Sequence, residues 1–180
     1  ARLGTLPNGM RYALQRNEGP KGSASVRFAF NVGWRDEEDD ENGLAHFIEH
    51  MAFNGSTNIP EGELIKKLER LGLAFGADTN ASTGMTTTMY KLDLPKADTE
   101  TVDAALLMMR EVASELTIAP AAVDAERTII LSERQMRNDA NRQMAADFYK
   151  SSLPGTRYGH RIAGGTEDVI KTAPAERLKA

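Results

Sequence analysis

The sequence predicts an α+β domain, a mostly antiparallel sheet covered by helices. Stretches of alternating hydrophobicity come as neighbouring pairs, near residues 8–34 and 74–96. Segments with an apolar period of about 3.6 residues cluster after them, rather than alternating with single strands as a parallel βαβ sheet would require. Apolar residues are 41% of 180, enough for the core of one domain spanning residues 1–180.

The elements follow in order. "LPNGMRYALQRN" reads as a turn at Asn8-Gly9 and then a strand. "SASVRFAFNVGW" gives a second strand, with Val26, Phe28 and Phe30 on one face. Six consecutive acids, Asp36 to Glu41, form a solvated loop whose charge suits the N-terminus of the next helix. Asn42 is the expected N-cap. A helix over residues 43–53 follows, and "IPEGELIKKLERLGL" is another, stopped near Gly72. "AFGADTNASTGM" and "TTTMYKLDLPK" pair as strands, and "DTETVDAALLMMREVASEL" is an amphipathic helix capped by Asp98 or Thr99. One long helical pattern runs from Pro120 through "ADFYKSSL". The tail has a Gly-rich turn, a short helix at "TEDVIK" and the start of another at "APAERLKA". Met108 and Met109, with Leu106, read as core, Trp34 as a packing residue and His160 as a turn residue.

Composition narrows the chemistry. A net charge of −4 is too mild to point to nucleic acid. Without cysteine there are no disulfides and no thiolate ligands, so a metal would rest on histidine and carboxylate. No run of about 18 apolar residues suggests a membrane span. The chain begins at Ala1 without an initiator Met or a leader, which reads as processing or trimming and leaves its address open.

Two of the three histidines lie four residues apart in "GLAHFIEHMAFNG". At about 100° per residue, and with His46 as zero, His50 lies at roughly 40°, Glu49 at 300° and Phe53 at 340°. Leu44, Phe47, Ile48 and Met51 occupy the opposite side. One face therefore goes to the core, and the other carries two imidazoles and a carboxylate without Lys or Arg. Histidines at i and i+4 can aim ring nitrogens at one point, as tetrahedral zinc requires of a helix. Glu49, beside His50, is placed to take the proton of water that such a metal activates. The ordinary alternative is a pair of locally hydrogen-bonded histidines. The order H-x-x-E-H is that of the inverted zincins.

Here the sequence resembles the pitrilysin/insulinase family of zinc metallopeptidases. "GLAHFIEHMAFNGS" resembles the family's motif helix, "NASTGMTTTMY" its N-A-x-T-S strand region, "DAERTIILSE" its E-R-x-x-I-x-x-E helix and "GTEDVIK" its G-T-x-x-x-I turn. The resemblance spans residues 3 to 180 in order. It implies an α+β zinc-binding domain, here cut short at its C-terminal end, with Zn2+ as cofactor and peptides or unfolded polypeptides as substrates. It also implies a second homologous domain or partner subunit closing a chamber, and a periplasmic or otherwise exported bacterial location.

Carried over residue by residue, the resemblance gives His46 and His50 as zinc ligands and Glu49 as general base. For the third ligand, two residues compete. Counting from His50 favours Glu126, since 126 − 50 = 76. The pattern E-R-x-x-I-x-x-E favours Glu133 as ligand, with Glu126 supporting it in the catalytic set. Loops absorb insertions at little cost, whereas spacing within a helix fixes a face, so Glu133 is the expected ligand. The ordinary reading of either Glu is a surface carboxylate paired with Arg127, Arg134 or Arg137. Asn80 and Ala81 match residues that contact the peptide on an edge strand, and Phe53 is a candidate for the pocket beside the cleaved bond. The expected function is a zinc-dependent endopeptidase. The alternative is a non-catalytic peptide-binding or scaffolding subunit, a class that generally lacks the H-x-x-E-H residues.

Overall fold

The computed structural model describes residues 1–161 and 164–179. A hairpin opens the chain: β1 (Arg2–Thr5) pairs antiparallel with β2 (Arg11–Leu14). Its turn is the expected one, with Gly9 at φ 87° and the Asn8 side chain accepting from Met10 N at 3.1 Å. The first strand of the pair was not expected. Four residues with one large apolar side chain, Leu3, carry too little alternation to announce a strand.

The main sheet contains β3 (Ala24–Phe30), β4 (Thr79–Thr83) and β5 (Thr88–Leu94), in the order β3-β5-β4 with both ladders antiparallel. In β5 the alternate residues Thr88, Tyr90, Leu92 and Leu94 are buried. Val26, Phe28 and Phe30 share one face of β3 and pack partly buried against the same core. Among the described residues the one strand that pairs with β4 is β5; its outer edge is bridged to Phe75 at Thr79 and is without a strand from Asn80 to Thr83.

The helices are α1 (Leu44–Met51), α2 (Glu63–Arg70), α3 (Thr99–Ser114), α4 (Pro120–Met136), α5 (Ala140–Ser152), α6 (Arg157–His160), α7 (Glu167–Thr172) and α8 (Ala175–Lys179). One apolar cluster joins the sheet to α2 and α3 through Leu68, Tyr90, Leu92 and Met108. A second joins α1 and α4 to the tail through Phe47, Met51, Ile130 and Ile170. Thus α1 is seated on the core by the face its sequence assigned to it. Met108 and Met109 are buried, whereas Leu106 is exposed. Trp34 is half-buried and His160 exposed. Among the described residues no helix is long and apolar enough to cross a membrane.

Three expectations about helix boundaries are corrected. Asn42 does not cap α1; Gly43 does, at φ 116°. Its Cα must pass Gly165, where a Cβ would come within 2.9 Å, so the residue is chosen for close approach as well as dihedral freedom. The long helical pattern is two helices, because the chain turns at residues 137–139 and Asp139 restarts it by accepting from Arg142 N at 2.9 Å. A short α6 appears where only a turn was expected.

The acidic run is folded rather than merely solvated. Glu37 is buried, and its carboxylate accepts from Gly43 N at 3.0 Å and Ala45 N at 2.8 Å. It thereby caps the first turn of α1 from six residues upstream. Asp36 pairs with its neighbour Arg35 at 3.1 Å, and the other four acids are matched by the tail. Arg157 meets Glu38 at 3.0 Å, Arg161 meets Asp39 at 2.9 Å, and Arg177 meets Asp40 and Glu41 at 3.1 and 2.9 Å. Removing the Glu37 carboxylate strands two donors at a buried helix start. Glu37→Ala should therefore cost about 1–2 kcal/mol, read as a lower urea midpoint with unchanged slope. An unchanged midpoint would mean that Gly43 and Ala45 find other acceptors.

Candidate metal centre

Side by side, α1 and α4 bring the expected ligands together. His46 and His50 stack edge to face, with ring centroids 4.6 Å apart. Their Nε2 atoms are 3.2 Å apart. Glu133 Oε2 lies 3.1 Å from His50 Nε2 and 3.8 Å from His46 Nε2. These three atoms form a triangle. Bonds of about 2.0–2.1 Å at tetrahedral angles predict ligand separations of about 3.4 Å, so the triangle fits a zinc-sized cation. The donor chemistry, two imidazole nitrogens and one carboxylate oxygen, fits zinc as well.

The other side of the His50 ring is held too. Its Nδ1 is 2.8 Å from Glu126 Oε1, and Glu126 Oε2 accepts from Asn54 Nδ2 at 2.7 Å. A carboxylate on Nδ1 keeps the proton there and leaves the Nε2 lone pair facing Glu133 and His46. Burial pulls the His50 pKa down, but the Glu126 bond and the surrounding carboxylates outweigh it, and the net shift is upward. His46 has no such partner. Burial, and then the neighbouring His50, lower its pKa to about 4, and among the described residues its Nδ1 is buried without a hydrogen bond. Glu126 is held below the usual carboxylate range, first by the His50 bond.

Glu49 projects from α1 into the same cleft. It is buried, and its Oε2 accepts from Thr83 Oγ1 at 2.6 Å. Burial raises its pKa, opposed by the Thr83 bond. A carboxylate with an elevated pKa is suited to picking up a proton near neutrality. Thr83 lies at the end of β4, so the edge strand also orients this acid.

A cleft of about 480 Å³ collects every expected site residue: His46, Glu49, His50, Phe53, Asn80, Ala81, Glu126 and Glu133. Phe53 packs edge-on against Phe75, with centroids 5.3 Å apart. Asn80 Oδ1 accepts from the next backbone amide, Ala81 N, at 2.8 Å. Three of the other lining residues hold the site residues by hydrogen bonds or an ion pair and have no site role in the sequence reading: Asn54, Thr83 and Arg137. Asn54 is one helical turn after His50 and close to the same stripe, a signal that was available. Thr83 falls in the N-A-x-T-S resemblance, which gives it no role, and the sequence offers Arg137 as a surface partner of Glu133. In the structure Glu133 does both: Oε2 faces the histidines while Oε1 pairs with Arg137 Nη2.

Comparison with known proteins gives the family. The profile of the insulinase family, peptidase family M16, matches residues 12–163. A probable zinc protease PqqL of Haemophilus influenzae is 35% identical over 97% of this chain, and a zinc protease PQQL-like protein of Arabidopsis thaliana is 32% identical over 99%. The chain spans about a fifth of each, 19% of their length. The crystal structure of the first half of the periplasmic protease PqqL from Escherichia coli superposes with a TM-score of 0.94 at 32% identity, over 99% of this chain and 38% of that one. The expectation of Zn2+ agrees with the names of the two relatives. By profile, identity and fold, this chain belongs to the insulinase family, peptidase family M16.

Proposed function

We propose that residues 1–180 are the zinc-binding domain, incomplete by itself, of an endopeptidase that hydrolyses peptides or unfolded polypeptides. The observation that carries this reading is the zinc-sized triangle of His46, His50 and Glu133 in one cleft with the buried Glu49 and an open strand edge. When bound there, zinc would supply a Lewis acid that polarises the peptide carbonyl and acidifies water. Glu49 takes the water's proton on Oε1, since Thr83 occupies Oε2, and returns it to the leaving amine. Glu126 and Asn54 keep His50 in the ligating tautomer. Asn80 and Ala81 meet the substrate backbone along β4, where an extended peptide can add as a further strand. An incoming peptide must first displace the Asn80 side chain from Ala81 N. Phe53 walls the cleft beside the cleaved bond. A scaffolding subunit would have no use for a buried, Thr83-oriented Glu49 in this position.

A second homologous domain or subunit closes the chamber in this reading, consistent with a relative described as a first half. An exported, periplasmic location is supported by the same relative's description. The test uses this chain and the intact gene product together. The chain should retain one zinc after dialysis yet hydrolyse a quenched fluorescent peptide far more slowly than the intact protein. Positioning by the opposing domain is worth up to about 7–11 kcal/mol of barrier. A chain that holds no zinc would sink the assignment of the ligands. A chain that matches the intact protein in turnover would remove the second domain from the mechanism.

A further inference from the structure

The cleft is chemically lopsided, and α4 shows how. Ile129, Glu133 and Arg137 follow one another at i, i+4 and i+8 along the same wall. Each step of four residues rises about 6 Å along the axis. The metal-facing Glu133 therefore has an apolar neighbour on one side and a guanidinium on the other. Ile129 continues an apolar surface made by Phe53 and Phe75. Arg137 is at the opposite end, and its side chain is 64% exposed.

Arg137 has donors to spare. Its Nη2 is taken by Glu133 Oε1, and no other ion pair of Arg137 is present among the described residues. A guanidinium carries five N–H donors in a fork that matches carboxylate geometry. Its surroundings add positive charge. Arg134 lies close by, its Nε donating to Gly165 O at 3.1 Å, and Arg142 is near enough to feel the charge of both Arg134 and Arg137. The acids facing this group are Glu133, directed to the metal triangle, Asp139, which caps α5, Glu49, which is held by Thr83 and feels the charge of Arg137, and Glu167, which is paired with Lys171 and feels Arg134. The β4 wall opposite, Asn80 to Thr83, has no charge at all. Among the described lining residues Arg137 is the one arginine or lysine, so apart from the metal an acidic group entering the cleft meets its guanidinium.

We infer that Arg137 forms a carboxylate-binding subsite beside the metal centre, selecting peptides with a carboxylate within two residues of the cleaved bond. The distance follows from the rise of about 6 Å between Glu133 and Arg137 and the roughly 3.3 Å per residue of an extended peptide. The carboxylate belongs either to an Asp or Glu side chain or to the substrate's C-terminus. The inference rests on the peptidase reading above. A simpler role for Arg137, holding Glu133 through an i, i+4 pair, would affect every substrate alike.

The experiment compares peptide pairs on the intact, zinc-loaded protein. One pair differs by Glu against Gln near the cleaved bond, the other by a free C-terminal carboxylate against a carboxamide. The acid should win in one pair by about tenfold in kcat/KM, the worth of a charge-assisted hydrogen bond. In Arg137→Gln that ratio should fall toward one, whatever the absolute rate, with part of it restored in Arg137→Lys. A preference in the first pair assigns the side chain, and in the second the chain terminus. Ratios near one in both pairs, or a ratio unchanged in Arg137→Gln, overturn the inference and leave the peptidase reading standing. If no peptide is cleaved, the peptidase reading fails instead, and fluorescence anisotropy of the same labelled peptides on this chain decides. Tighter binding of the acid that is lost in Arg137→Gln supports the subsite, and equal binding of acid and amide overturns it.

Discussion

Glu49→Gln in the intact protein should lower peptide turnover by about 10²–10⁴-fold while zinc remains bound. The substitution keeps the shape and the ability to accept from Thr83 Oγ1, which lies 2.6 Å from Glu49 Oε2. It removes the one carboxylate in the cleft that neither faces the metal triangle nor supports a histidine. His46, His50 and Glu133 are untouched, so metal content measured after dialysis should match the parent. The burial that raises the Glu49 pKa also means that the neutral amide is no harder to bury than the acid, and folding should not suffer. Thr83→Val provides a graded companion: it leaves the carboxylate but frees its orientation, and turnover should fall less. Comparable turnover in Glu49→Gln and the parent would take Glu49 out of the mechanism.

Why Glu49 was legible, and Thr83 was not, is a matter of sequence distance. The stripe of His46, Glu49 and His50 is fixed by the pitch of one helix, and that helix is pinned by Phe47 and Met51, both fully buried. Local geometry decides everything about it. Thr83 reaches Glu49 from 34 residues away, and Asn54 reaches Glu126 from 72. Those bonds exist because β4 and α4 pack beside α1, which no local period announces. The same limit applied to the acidic run. Charge near a helix start was readable, but nothing local distinguishes Glu37, the buried cap, from its five acidic neighbours. The selection is made by Arg157, Arg161 and Arg177, which arrive from the tail and pair with four of the other acids, while Asp36 pairs with Arg35. In the long helical pattern the apolar period runs on past Met136 and hides the break, although the Asn138-Asp139 step is itself a helix-start signal.

The choice between Glu126 and Glu133 shows where periodicity runs out, and it yields the second large effect. Seven residues apart, both lie on one face of α4 and both reach the motif helix. Their roles differ only through the crossing of α1 and α4, which sets Glu133 Oε2 against the two Nε2 atoms and Glu126 Oε1 against Nδ1 of His50. Glu133→Gln should therefore weaken zinc binding by more than about 100-fold, since an amide oxygen replaces a charged ligand in a three-ligand set. Glu126→Gln should cost less, roughly the 10–100-fold of a group that orients a ligand. In that variant the amide oxygen can still accept from His50 Nδ1, provided Asn54 turns over to accept from the new amide nitrogen. A double substitution, Glu126→Gln with Asn54→Ala, removes that repair and should approach the upper end of the range. Competition for zinc against a chelator of known affinity measures all three on this chain alone, since the triangle lies within residues 46–133. The reverse order, with Glu126→Gln the more damaging single change, would make Glu126 the ligand and show that counting from His50 was the better guide.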